Sequence, residues 1–96
     1  MLVLISYDIN TVDKGGARRL RNVSKTCLDY GQRVQFSVFE CEVDPSQWIF
    51  LKDKLLDIID SKKDSIRFYI LGSNWKGKIE HYGCKEPVDL HSTLIV

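Results

Sequence analysis

The sequence has no C-x-x-C pair; its three cysteines, Cys27, Cys41 and Cys84, stand far apart. That spacing argues against a zinc site. An odd cysteine count without a signal peptide fits a reducing compartment with packed thiols. Proline is scarce, at two residues, and the 44% hydrophobic, 28% charged balance is that of a globular chain rather than a disordered one. No apolar run approaches a bilayer span, so a soluble protein with no membrane partner is expected. Met1 opens directly onto the first strand, which leaves no room for a targeting segment and points to the cytoplasm. The glycines form neither G-x-G-x-x-G nor a P-loop. The two histidines, His81 and His91, have no spacing that suggests a general base and read as surface residues.

Net charge is nearly absent too, at +1, so the whole-chain balance does not point to nucleic acid. The distribution says more. Residues 1–33 carry six Lys/Arg against three Asp/Glu, and residues 40–64 carry four against seven. The 96 residues, 1–96, make one domain. A chain this small buries only about 60–65% of its unfolded surface, so association is a natural source of further stability.

What is present begins with MLVLISYDIN. Its run of Leu2, Val3, Leu4 and Ile5 has the length and β-branching of a buried strand. Asp8 sits at its C-terminal end, where α/β proteins often place a metal or catalytic group. The alternative is a turn former or helix cap. Asp8 to Gly16 reads as a loop. Gly15-Gly16 is either a weak phosphate cradle or a flexible lead-in to the helix that follows. Ala17 to about Tyr30 is that helix, with Leu20, Val23, Cys27 and Tyr30 on one stripe. Arg18, Arg19 and Arg21 fall in its first turns, against the macrodipole. Such a break without evident structural gain points to phosphate contact. The plainer reading is a solvated basic face. Gly31 is expected to close the helix as a left-handed cap.

Gln32 to Val43 reads as one long strand opened by Arg33. Its apolar face switches near Val38-Phe39, which a bulge would explain; it could split there into two strands, which leaves the strand count open, but it has no strong turn signal. Apolar residues on both faces call for helices on one side and another sheet or a partner subunit on the other. Asp44-Pro45-Ser46-Gln47 is a capping box starting a helix to about Asp60, with Trp48, Leu51, Leu55, Ile58 and Ile59 as its core stripe. Ser65 to Leu71 is a strand. Trp75-Lys76-Gly77-Lys78 sets an aromatic among cations, either a nucleic-acid contact or a rim residue. Residues 78–82 form a short strand. Thr93 to Val96 is too apolar to stay exposed and must dock on its own sheet or a neighbour's edge. The order βαβαββ falls one strand short of βαββαβ between the helices. The fold expected is still an α+β, ferredoxin-like sandwich, an antiparallel sheet with two helices on one face.

Tyr7-Asp8, the arginine-rich first helix, Gln32-Arg33-Val34-Gln35, Ser37-Val38-Phe39-Glu40 and Asp64-Ser65-Ile66-Arg67-Phe68-Tyr69 occur in this order in one family. The chain closely resembles the smaller of the two core CRISPR adaptation proteins, the CRISPR-associated endonuclease family usually numbered two. The resemblance implies a homodimer formed through the other sheet face, with residues 83–96 docking on the partner subunit. It implies Mg²⁺, or Mn²⁺ in its place, shared between the two copies of Asp8. It implies partnership with the integrase subunit and with double-stranded DNA or single-stranded RNA. Ser37 and Phe39 match family positions near the site. Ser37 would orient water or substrate, or else is a small polar residue packed at a strand; Phe39 would contact nucleic acid. The expected site is therefore Asp8 and Ser37 for catalysis, Asp8 for metal, and Arg18, Arg19, Arg21, Arg33 and Phe39 for nucleic acid. Two functions compete: a metal-dependent endonuclease, and a non-catalytic dimeric scaffold that grips DNA for the integrase. Only the first needs Asp8.

Overall fold

Alternation along the first strand sets the architecture. In a computed structural model that describes residues 1–71 and 79–84, β1 (Leu2–Asp8) buries Val3, Ile5 and Tyr7 and turns Leu2, Leu4, Ser6 and Asp8 to the opposite face. The remaining elements are α1 (Gly16–Leu28), β2 (Gly31–Gln35), β3 (Val38–Glu42), α2 (Pro45–Ile58), β4 (Ser65–Leu71) and β5 (Ile79–Gly83). The sheet has five strands in the order β2-β3-β1-β4-β5, with each neighbouring pair antiparallel. The first four strands and two helices make the ferredoxin-like βαββαβ unit, and β5 extends it beside β4.

The core lies between one sheet face and the helices. Val23 and Cys27 of α1 and Trp48, Leu51 and Leu55 of α2 meet Val3, Ile5, Phe39, Cys41, Ile66 and Phe68. Leu20, Tyr30, Ile58 and Ile59 pack on its margin, so both expected helical stripes are the observed ones. The Trp48 ring meets Phe68 edge-on at 4.9 Å between centroids. The capping box at Asp44 is complete: its carboxylate accepts from the Gln47 N–H at 2.7 Å, and the Gln47 side chain accepts from the Asp44 N–H at 2.9 Å. Cys27 and Cys41 are buried, and burial pushes their thiols up to about 12 and about 11; Cys84 is exposed.

Two expectations are corrected. The stretch 32–43 is not one strand. It is a hairpin, β2 and β3, turning at Phe36-Ser37, and this supplies the strand the topology lacked. The turn carries no Gly or Asn; β1 holds it, through Tyr7 N–H donating to the Ser37 carbonyl at 3.0 Å and Tyr7 O–H donating to the Phe36 carbonyl at 3.4 Å. The apparent switch of apolar face is this turn, and the register irregularity sits at Arg33/Gln35 rather than near Val38-Phe39. Gly31 is not a left-handed cap: among the described residues the positive-φ glycines are Gly15 and Gly83. Gly31 opens β2, where a Cβ would overlap the Glu40 carbonyl oxygen and crowd the Cys41 Cα, so close strand approach is what selects glycine. The expectations at Trp75–Lys78, His91 and the segment 85–96 lie outside the described residues.

The sheet face away from the helices carries Leu4, Ser6, Val34, Val38, Tyr69 and Leu71, which line one shallow groove. Val34 and Leu71 are 45% and 41% exposed. The described helices cover the other face.

Candidate functional site

The carboxylate expected to hold a metal stands at the C-terminal end of β1. Asp8 is the last residue of that strand, is exposed, and lies in register with Ser65 of β4 on the sheet face away from the helices. Tyr7, one residue earlier, points into the core. Its ring stacks on Phe39 at 6.2 Å, and its hydroxyl lies 2.8 Å from the Ser24 hydroxyl of α1. The strand end that presents Asp8 is thus fixed to both the hairpin and the first helix.

Ser37 is half-buried in the β2–β3 turn, held to β1 through its carbonyl. Arg18 and Arg21 of α1 are exposed, and so is Arg33 of β2, whose guanidinium lies 5.0 Å from the centroid of the Phe39 ring. Phe39 itself is 0% exposed. Its ring packs in the core cluster. The exposed aromatic of this hairpin is Phe36, at 90%.

Arg19 differs from its neighbours. Its Nε donates to Asp64 Oδ2 at 2.7 Å, its Nη2 donates to Asp13 Oδ1 at 3.0 Å, and Nη2 also donates to the Asn10 carbonyl at 3.2 Å. This is the structural gain that the helix dipole argument could not see. Asp64 is 0% exposed. It also accepts from the Asn10 N–H at 3.0 Å and the Asp60 N–H at 2.8 Å. Burial raises its carboxyl, but Arg19 and the two N–H groups more than reverse this and hold it below the usual carboxylate value. Arg19 is pushed up in turn, chiefly by Asp64 and then Asp13. Asp13 is lowered from 3.8 to about 2, by Arg19 first and then by Lys63, whose Nζ lies 2.9 Å from Oδ2. Gly15 (φ +96°) and Gly16 let α1 start against this loop; a Cβ on Gly16 would overlap the Asn10 carbonyl oxygen.

Asn10 and Asp13 lie in the stretch that reads as a loop and Asp64 opens a family-matching segment, and no local pattern marks any of them as a partner of Arg19. An arginine in a first helical turn that lacks an acid of its own could have signalled a distant carboxylate. The sign of its pH dependence follows. A carboxyl depressed in the folded state contributes stability above its unfolded pKa of 3.8 and loses it as pH falls through about 2. The Tm gap between wild type and Asp13→Asn is therefore expected to be constant above about pH 4 and to close toward pH 2. Thermal melts followed by circular dichroism at stepped pH check this. No gap at any pH would show that Asp13 is unpaired in solution, and a gap unchanged at pH 2 would show that the ionised carboxylate is not its source.

Among the described residues, no three His, Cys, Asp or Glu side chains cluster as a metal site, and no helix is long and apolar enough to cross a membrane. One chain offers one well-placed exposed carboxylate at this strand end.

Residues 1–79 match the family "CRISPR associated protein Cas2". A Chlorobaculum tepidum protein named CRISPR-associated endoribonuclease Cas2 is 64% identical, over 100% of both chains. A Halalkalibacterium halodurans protein named CRISPR-associated endonuclease Cas2 is 56% identical, over 99% of both. The crystal structure of Streptococcus pyogenes Cas2 at pH 6.5 superposes with a TM-score of 0.70 at 56% identity, covering 83% of this chain and 96% of that one. The chain belongs to the CRISPR-associated Cas2 family.

Proposed function

We propose that the chain is a CRISPR-associated endonuclease that acts as a homodimer, cleaves phosphodiester bonds in single-stranded RNA, double-stranded DNA or both, and works with the integrase subunit in spacer acquisition. The observation that carries this reading is the position of Asp8. It is exposed at the end of the one sheet face that the described helices leave uncovered. A two-fold axis through that face brings the same strand end of a second copy toward the first, doubling the carboxylate. The endoribonuclease and endonuclease names of the relatives support the reaction class.

A hydrated Mg²⁺ fits such a donor set, because magnesium takes hard oxygen ligands, keeps several waters and is commonly held by one or two carboxylates. Asp8 from each copy would hold it, and the bound ion would supply activation of water and stabilisation of phosphoryl charge. The chain's own residues do the rest. Arg18, Arg21 and Arg33, exposed on α1 and β2, grip phosphates through their planar forks. Arg33 is held in place by packing on Phe39. Ser37, on a turn tied to β1, orients substrate beside Asp8. The lack of a three-ligand cluster among the described residues favours one second reading, a dimeric scaffold that holds DNA for the integrase without cutting it.

The test is purified dimer with labelled single-stranded RNA and duplex DNA. Cleavage is expected with Mg²⁺, to stop with EDTA and to return when Mg²⁺ is restored in excess. Binding without cleavage of either substrate would leave the scaffold.

A further inference from the structure

Arg19 and Asp64 stand apart from the proposed site yet hold the chain that leaves it. Asn10 lies two residues beyond Asp8, and both of its backbone groups are taken: its N–H by Asp64 Oδ1 at 3.0 Å, its carbonyl by Arg19 Nη2 at 3.2 Å. Asp64 is itself one residue from Ser65, the β4 partner of Asp8. A buried carboxylate with four donors and a guanidinium shared between two carboxylates and a carbonyl form a rigid joint. The joint links the strand end, the first turn of α1 and the start of β4. Asp64 is wholly buried, and the forked side chain of Arg19 is 15% exposed.

We propose that Arg19 and Asp64 are positioning residues for the nuclease site: they clamp Asn10 and thereby fix the Asp8 carboxylate, and Arg19 does not contact phosphate. The inference rests on the nuclease reading above. It separates Arg19 from Arg18, Arg21 and Arg33, with which it shares a sequence patch but not an environment. Arg19→Lys keeps the positive charge but replaces the fork with a point donor that cannot serve Asp64, Asp13 and Asn10 together. Asp64→Asn removes the charge and turns an amide N–H₂ toward groups that are themselves donors.

The test combines kinetics, binding and amide exchange on the intact dimer, below the Tm of the least stable variant. Both single variants are expected to lower kcat about 10–100-fold, as loss of an outer positioning partner does. KM is expected to stay within about twofold, and the salt slope of nucleic-acid binding to stay at the wild-type value. The double variant is expected to be no worse than the poorer single, since both break one joint. The Asn10 amide is expected to exchange faster in each. Asp64→Asn risks a broken buried pair and a chain that does not fold. Arg19→Lys then carries the test alone. A phosphate-contacting Arg19 gives the opposite pattern and overturns the proposal: kcat unchanged in Arg19→Lys, KM raised, Asn10 exchange unchanged, and a salt slope shallower by about one unit in an Arg19→Gln variant. Failure of the nuclease reading is separate, because it shows as cleavage that survives Asp8→Ala, which the exchange and salt-slope arms do not register.

Discussion

Alanine at Asp8 is expected to lower kcat/KM on the preferred nucleic acid by roughly 10²-fold or more, equivalent to about 2.7 kcal/mol of transition-state stabilisation. Folding and nucleic-acid binding should survive. Asp8 is exposed at the end of a strand, so its truncation opens no cavity in the core. The strand continues to pair with β4 through backbone groups at its end. With the phosphate grip proposed for the arginines, the salt slope of binding should match wild type. Asp8→Asn is the sharper variant. It keeps shape and hydrogen bonding but loses the charge, and it should be nearly as inactive as alanine. Measured turnover equal to wild type in both variants would place the chemistry elsewhere. Loss of turnover with intact spacer acquisition would show that the cell uses the grip and not the cut.

The elements that obey one local rule were legible in the sequence. The strand 65–71, the two helical stripes and the capping box at Asp44 each follow a period or a spacing within one segment. What was not legible depends on contacts between segments. The turn at Phe36-Ser37 has no turn residues because Tyr7, on another strand, holds it by two hydrogen bonds. Gly31 reads as a helix cap by position, but the backbone of β3 is what excludes a side chain there. The structural partner of Arg19, Asp64, lies 45 residues away, beyond any local pattern. The site shows the same division. The exposure of Asp8 at a strand end and of Arg18 and Arg21 on a helix follows from one segment each, whereas the depth of Phe39 does not. Its neighbours Val38 and Glu40 alternate with it in the usual way, and only the hairpin decides which face is inward.

Phe39→Ala is expected to destabilise the fold by about 3–5 kcal/mol, a large share of the roughly 5–15 kcal/mol that holds a domain of this size. For a chain this short that is a fall in Tm of roughly 10 °C or more. The ring fills the core between β1 and the helices, stacks on Tyr7 and is roofed by Arg33. Truncation leaves a cavity that the rigid sheet cannot close. Activity should fall with it, because Tyr7 loses its stacking partner at the strand end that presents Asp8. Phe39→Leu separates core from interface. It keeps most of the apolar volume, so stability and binding should stay closer to wild type than in the alanine variant. An aromatic that stacked on a base would behave otherwise, since stacking is worth about 1–3 kcal/mol per base and leucine has no π-face to replace it. Urea unfolding and nucleic-acid titration of both variants decide the matter. A wild-type unfolding midpoint together with weakened binding in Phe39→Leu would move this ring from the core to the interface.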